Sequence, residues 1–400
     1  MNESRPLPPT ITLEAFLMVC VFPFQLIIGL TGNACNLIVL LSRVLSTPIK
    51  DHCRNGDLLY DESICRGMRS KTNFLLAMMA FADMLLLIFM VPHSLMFNAI
   101  FTRNANFRYF IVYAMPHLAG ICNLCSFVSA WLVVVVCGER VMAVMFPLQA
   151  RLFWTKKTLI RICIIIWVFA IILSMHSHIT HRVETVTLNI SVITENGIPE
   201  YRIKNTLQAV LRTGMLSYWQ LAVSLDILFL VFLPVLLVIT ANAILISCLR
   251  RQQIAHIKSQ KRATTIVFTI ATTFTLCQTP SALVYIWEMV NRGNGSQPLF
   301  RALATLSNST VVTGKATNFF LFCTWSSHFR KQFILIIARR TPSLFHFLQR
   351  IIPTIRDTLP AQQLTYYQQR SHKSMCPTIE YDAPRIRLLK HHRSLPLNIR

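Results

Sequence analysis

Charged residues are scarce in this chain. They make up 14% of its 400 residues against 54% hydrophobic, at a mean hydropathy of +0.50. That balance excludes a soluble multi-domain protein and leaves one integral membrane domain with a polar tail. Acids are the scarcer sign, 16 Asp and Glu against 39 Lys and Arg. No internal repeat is visible, which counts against a transporter built from inverted repeats. No nucleophile, base and oxyanion donor come together and no metal-ligand cluster occurs, so an enzyme, a cofactor and a metal site are all unexpected. Cys53 and Cys65 lie twelve residues apart, but no histidine completes a zinc spacing. A nucleic-acid module is also missing, and membrane orientation with attraction to anionic lipid accounts for the formal charge of +23.

Apolar runs are what the chain has in quantity. Spans of about 20 residues suited to a bilayer fall at roughly 14–42, 72–98, 111–145, 157–178, 217–249, 262–289 and 303–325. Seven is odd, so the termini lie on opposite sides. The first run competes with a signal peptide, yet it is long, contains Gly32-Asn33 and lacks a small-x-small cleavage site. It is read as the first transmembrane helix.

Two independent signals orient the bundle. Loops 43–71, 140–161 and 250–262 hold 16 Lys and Arg and the tail after 326 holds 13, against 9 in the N-terminus and the opposite loops. The positive-inside rule therefore places the tail in the cytoplasm and the N-terminus outside. The sequons at Asn2, Asn189 and Asn294, with a further Asn-Ser-Thr at Asn308, fall on the other side or at its edge. Glycosylation acceptors belong outside, so the two signals agree on a multi-pass protein of the plasma membrane.

The expected organisation is an extracellular N-terminus over 1–13, a membrane domain over 14–325, an amphipathic helix over 326–340 and a disordered basic tail over 341–400. A polar stretch at 44–67 interrupts the first cytoplasmic loop, either as a family-specific insertion or as an artefact of gene structure. Asp83 sits inside the second apolar run, where a carboxylate must pair, bind a cation or stay protonated. Glu139-Arg140 ends the third run, where unpaired charge is costly, and Pro147-Leu148 follows. The sixth run holds Phe274, Cys277, Gln278 and Pro280. The seventh holds Lys315 and Asn318 one turn apart on a common face, then Phe322. Phe329, Phe333, Ile336 and Ile337 then line one face beside Arg330, Lys331, Arg339 and Arg340, and Ser326 or Ser327 can cap that helix.

In this order, these residues resemble the motifs of rhodopsin-family G-protein-coupled receptors. Glu139-Arg140-Val141 is similar to the Asp/Glu-Arg-Tyr end of the third helix. Asn33 matches the first-helix Gly-Asn pair, Asp83 the sodium-site aspartate, and Phe274 to Pro280 the Phe-x-x-Cys-Trp-x-Pro hinge with Gln278 in place of tryptophan. Asn318-Phe-x-x-Phe322-Cys resembles Asn-Pro-x-x-Tyr in the form found in FMRFamide-type peptide receptors and serpentine receptor class W. The resemblance implies an all-α integral membrane protein, a seven-transmembrane helix bundle with a short cytoplasmic amphipathic helix. It also implies that Arg140 is held by Glu139 in the resting receptor and faces the G protein in the active one.

Departures from the family are informative. The family joins a cysteine at the outer end of helix three to one in the following extracellular loop. Here the first position is Met115 and loop 179–216 has no cysteine, so that bridge is not expected. Lys315 can pair with Asp83 in place of a sodium ion. Cys122 stands where amine receptors carry an aspartate, which disfavours an amine ligand. Asp226 and Glu288 remain as acids on the outer halves, able to receive a cationic ligand group; each also has a plain structural reading. His176 and His178, at the exit of helix four, are read as interfacial. The expected function is a G-protein-coupled receptor for an extracellular ligand, first a neuropeptide, amidated and cationic, acting on a heterotrimeric G protein. A chemoreceptor of the same fold for small environmental molecules is the alternative within the class, and a membrane transporter or channel is the alternative outside it.

Overall fold

The computed structural model describes residues 13–45, 56–193, 199–251, 258–290 and 298–340. Seven long helices form the bundle. Helix α1 (Phe22–Leu45) is entered through a helical turn, Leu13–Phe16, and a π turn, Leu17–Val21. It is followed by α2 (Gly56–Leu95), α3 (Ala105–Met145) and α4 (Lys156–Ile179). Helix α5 runs through Leu216–Ile227, a π turn at Leu228–Phe232 and Leu233–Arg251. Then come α6 (Lys258–Val290), α7 (Pro298–Trp325) and the short α8 (Ser327–Arg340). Helix α2 begins at Gly56, inside the 44–67 stretch, so the second half of that polar sequence continues the helix.

Helices α1 through α6 are long and apolar enough to cross a membrane. Helix α7 is more polar because its polar residues face inward. Ser309 and Thr313 accept from the Gln25 amide of α1, Thr310 donates to the Cys277 carbonyl of α6, and Lys315 and Asn318 reach α2. In hydrocarbon such groups need internal partners, and α7 supplies them through its neighbours.

Close helix approach has a sequence cause at two points. A Cβ on Gly32 would come within 2.7 Å of the Phe319 Cβ, and one on Gly314 within 2.9 Å of the Cys277 Sγ. Only glycine lets α7 sit this near α1 and α6.

The two π turns share an origin. Each precedes a proline, Pro23 and Pro234, which has no N–H to offer the carbonyl behind it. In the five-residue register the amides of Phe22 and Leu233 bond the carbonyls of Leu17 and Leu228, so the next carbonyls, Met18 and Phe229, face the prolines. Both are satisfied from a neighbouring helix. Ser94 Oγ donates to the Met18 carbonyl at 2.6 Å, and Trp131 Nε1 donates to the Phe229 carbonyl at 3.0 Å.

Between α4 and α5 the backbone leaves the helical regime. Strands β1 (His181–Ile193) and β2 (Pro199–Leu211) pair antiparallel, from His181 opposite Leu211 to Ile193 opposite Pro199. The sequence Thr185 to Val192 alternates polar and apolar residues, the period of a half-covered strand. Among the described residues Cys20, Cys35, Cys122, Cys125, Cys137, Cys163, Cys248, Cys277 and Cys323 are free thiols, so no disulfide there ties the hairpin to the bundle.

By compactness the chain divides at residue 333. On the near side of α8, Ser326 Oγ accepts the Phe329 amide at 3.1 Å and caps the helix, and Arg330 Nη1 closes the end of α7 through the carbonyls of Cys323 and Thr324. On the far side Ile334 packs with Leu335, Ile337 and Ala338.

Candidate functional site

Two polar layers lie between α2 and α3. Thr72 and Asp83 are eleven residues apart on α2, and Ser129 and Arg140 are eleven apart on α3. Eleven residues make about three helical turns, so each pair shares a face with its members roughly 16 Å apart along the axis. Packed together, the helices bring Asp83 to Ser129 in one layer and Thr72 to Arg140 in the other.

In the first layer Asp83 is fully buried and accepts three hydrogen bonds. Ser129 Oγ and Lys315 Nζ donate to Oδ1 at 2.6 and 3.0 Å, and Asn318 Nδ2 donates to Oδ2 at 3.0 Å. The Lys315 ammonium is itself buried, so the carboxylate meets its countercharge directly. A buried pair of this kind holds only when its remaining lone pairs are also satisfied, which Ser129 and Asn318 accomplish. Asn33 Nδ2 grips the backbone carbonyl of Lys315 at 3.2 Å and fixes the turn that carries the ammonium. A cavity of about 30 Å³ adjoins this layer, lined by Asp83, Ser129, Lys315 and Asn318 together with Phe274 and Gln278 of α6. At ~10–15 Å³ for one water it has room for about two.

In the second layer Glu139 and Arg140 are 2% and 4% exposed. Arg140 Nε lies 3.0 Å from Glu139 Oε2. Thr72 Oγ1 joins them, donating to Glu139 Oε2 at 2.9 Å and accepting from Arg140 Nη2. One hydroxyl thus holds both charges of the pair. Past the end of α3, Pro147 opens a short helix, Pro147–Phe153, at a position where its missing N–H is harmless. Leu148 stands exposed beside it.

Helix α6 contributes Gln278, buried on the cavity, while Cys277 is half-buried where Gly314 approaches. Pro280 lies inside the helix two residues on. At the end of α7 the aromatic positions form a cluster. Phe322 stacks on Phe329 with centroids 5.3 Å apart, and Phe319 meets Phe333 edge-on at 5.3 Å. The aromatic replacements for proline and tyrosine thus anchor the first turns of α8.

Among the described residues no hydrogen bond or ion pair joins Cys122, Asp226 and Gln278 to one another. Cys122 is half-buried on α3. Asp226, with a side chain 13% exposed, faces His176 of α4, whose Nε2 is 3.6 Å from Oδ2. His176 is buried within the bundle. The side chains of Glu288 and Asn189 lie outside the described residues, as do Asn2 and Asn294. Thr72, Ser129 and His176 are the partners that residue type alone does not reveal. The eleven-residue spacing marks the first two, and the helix-four position opposite Asp226 marks the third.

The model of the rhodopsin family of seven-transmembrane receptors matches residues 63–329. A candidate G-protein coupled receptor of Caenorhabditis elegans, F59B2.13, is 28% identical over 345 residues, covering 80% of this chain and 73% of that one. Neuromedin-U receptor 1 of Mus musculus is 23% identical over 305 residues, 68% of this chain and 67% of the receptor. Its Homo sapiens counterpart is 22% identical over 350 residues, 80% and 73%. These relatives and the bundle geometry describe a membrane-embedded receptor that couples to G proteins and is not an enzyme. The chain belongs to the rhodopsin family of seven-transmembrane receptors.

Proposed function

We propose that this receptor binds an extracellular peptide and answers by catalysing nucleotide exchange on a heterotrimeric G protein, with its N-terminus outside and its C-terminus in the cytoplasm. The observation that carries the reading is the arrest of Arg140, buried between Glu139 and Thr72. An arginine so held is withheld from any cytoplasmic partner. It becomes available only when its contacts with Glu139 and Thr72 break. Pro280 gives α6 a point at which to bend, and Gln278 and Phe274 place the same helix on the cavity beside Asp83. A ligand that shifts the outer half of α6 therefore bears on the Asp83 layer, which α2 and α3 share with the Arg140 layer.

The peptide class rests on the likeness of Asn318 to Cys323 to FMRFamide-type and class W receptors, and the matches to receptors named for neuromedin U point the same way. Asp226 is a recognition group for a cationic terminus only if the ligand displaces His176 from it. Glu288 is the second candidate acid, and Asn2, Asn189 and Asn294 are the proposed glycosylation sites.

The test is G-protein activation in cells expressing the chain, with a library of amidated peptides, beside Arg140→Ala at matched surface expression. A peptide response lost in Arg140→Ala supports the reading. Silence to peptides with a response to small environmental molecules replaces the ligand class with the chemoreceptor alternative. Ion flux in proteoliposomes without G-protein activation would contradict the whole assignment.

A further inference from the structure

At the end of the bundle opposite Arg140 two histidines touch. His117 of α3 and His178 of α4 bring their Nδ1 atoms to 2.7 Å, with ring centroids 5.0 Å apart and planes within 15°. Gly120 makes the room, since a Cβ there would come within 2.9 Å of His178 Nε2. His117 is 23 residues before Arg140, about 34 Å along the helix, so it stands at the far face of a bilayer with a ~30 Å core. Two residues before it is Met115, where the family's covalent tie to the loop would begin.

Two imidazole nitrogens at this distance require one shared proton. One Nδ1–H donates and the other Nδ1 accepts. Adding a proton to the free Nε2 of the donor keeps the bond and makes it charge-assisted. Adding one more, on the accepting Nδ1, sets two N–H groups and two positive charges against each other. The contact is then repulsive and the rings must part.

The surroundings make that second proton count. Among the described residues, the elements that meet at this end carry further charged and titratable groups. Tyr113 lies one turn before His117 on α3. His176 of α4 faces Asp226 of α5 at 3.6 Å. On β1, His181 bonds Thr180 Oγ1 at 3.0 Å, and Arg182 pairs with Glu184 at 2.8 Å. Arg212, just past β2, donates from Nε to the His181 carbonyl. On these elements two imidazoles and two guanidiniums therefore stand against two carboxylates, and each carboxylate is already engaged.

We propose that His117 and His178 form a proton-operated latch that joins α3 to the α4 exit and the root of the hairpin, so that acidification of the extracellular medium loosens the receptor's outer end. A shared divalent ion is the lesser fit. Two nitrogens about 2.0–2.1 Å from one tetrahedral zinc stand about 3.3 Å apart, wider than this contact, and among the described residues no third ligand joins them. The extracellular placement rests on the receptor reading above; the latch itself does not.

The experiment is a double-mutant cycle on the purified full-length protein in nanodiscs, with His117→Ala and His178→Ala singly and together, followed by thermal melting in chelator. Measurements at about pH 7.5 and about pH 5 bracket the ordinary imidazole midpoint of about 6.5. A second cycle with Gln at both positions guards against poor folding of the alanine variants. The latch predicts a stabilising coupling at the higher pH that vanishes or changes sign at the lower. Zero coupling at the higher pH, or coupling at the lower pH equal to or stronger than at the higher, overturns it. Coupling that appears only with added zinc overturns it in favour of a metal clasp. None of these results needs a ligand or a G protein, so failure of the peptide-receptor reading would be recognised separately.

Discussion

Lys315 of α7 places its ammonium 3.0 Å from the carboxylate of Asp83 on α2, inside the bundle. A lysine here does with a side chain what a bound cation would do with its charge. Ser129 and Asn318 complete the carboxylate's hydrogen bonds, so the layer is neutral without an ion.

The first prediction is therefore sodium independence. Exchanging sodium for a large organic cation leaves wild-type signalling unchanged, whereas Lys315→Ser makes it sodium-sensitive. Lys315→Ala strands a buried carboxylate and lowers stability by about 3–5 kcal/mol. Adding Asp83→Asn to it recovers most of that loss. Melting curves and concentration-response curves in the two salts check both halves, and sodium sensitivity of the wild type would refute the substitution of lysine for the ion.

Thr72 is the hinge pin of the second layer. Thr72→Val keeps shape and volume but removes the hydroxyl shared by Glu139 and Arg140. Basal G-protein activation is expected to rise, with surface expression preserved, because Arg140 loses one of its two holds. Basal activity equal to wild type would show that Glu139 suffices.

The π turns give a stability prediction. Trp131→Phe keeps a ring but leaves the Phe229 carbonyl without its donor, at an expected cost of about 0.6–1.7 kcal/mol, the range for interhelical hydrogen bonds in membranes. Ser94→Ala does the same to the Met18 carbonyl. Because the sites are on different helix pairs, the two losses should add to within about 0.5 kcal/mol, a result that melting of the double variant measures.

Outside the membrane span, His181 carries a pH prediction. Burial, then the neighbouring His176, hold its imidazole below the ordinary range. The unfolded chain, with a pKa of about 6.5, thus binds more protons than the folded one as pH falls through that value. Stability must drop with acid across this window. His181→Gln removes the group and should flatten that part of the profile. An unchanged acid slope in the variant would assign the slope elsewhere.

Much of this architecture is written in residue types that are expensive to misplace. Asp83, Lys315 and Asn318 are costly in hydrocarbon, so one turn of spacing between the last two suffices to aim both at the first. Gly32-Asn33 is legible for the same reason: the glycine admits Phe319 and the asparagine grips the Lys315 carbonyl. Thr72 and Ser129 are not legible by type, because a hydroxyl inside a helix can satisfy itself on its own backbone, as Thr272 and Thr275 do here. Only their shared eleven-residue offset from Asp83 and Arg140 betrays them. The hairpin departs from the plain loop expected over 179–216; the alternation from Thr185 to Val192 gains its meaning only beside the free thiols, which leave β1 and β2 to order that loop by pairing. The partner of Asp226 is hidden for a different reason. A histidine near a helix exit looks interfacial in sequence, and only the packing of α4 against α5 makes it a buried counterpart.

The central claim is that Arg140, released from Glu139 and Thr72, is the group through which this protein acts on a G protein. Its most direct measurement is nucleotide exchange on purified heterotrimer by the receptor in nanodiscs, comparing wild type, Thr72→Val, Thr72→Val with Arg140→Ala, and Thr72→Val with Glu139→Gln. The account predicts exchange above wild type in the first variant and none above background in the second, at equal folded protein. Exchange that persists without Arg140, or that fails to rise when Thr72 is removed and Glu139 is neutralised as Gln, would contradict it.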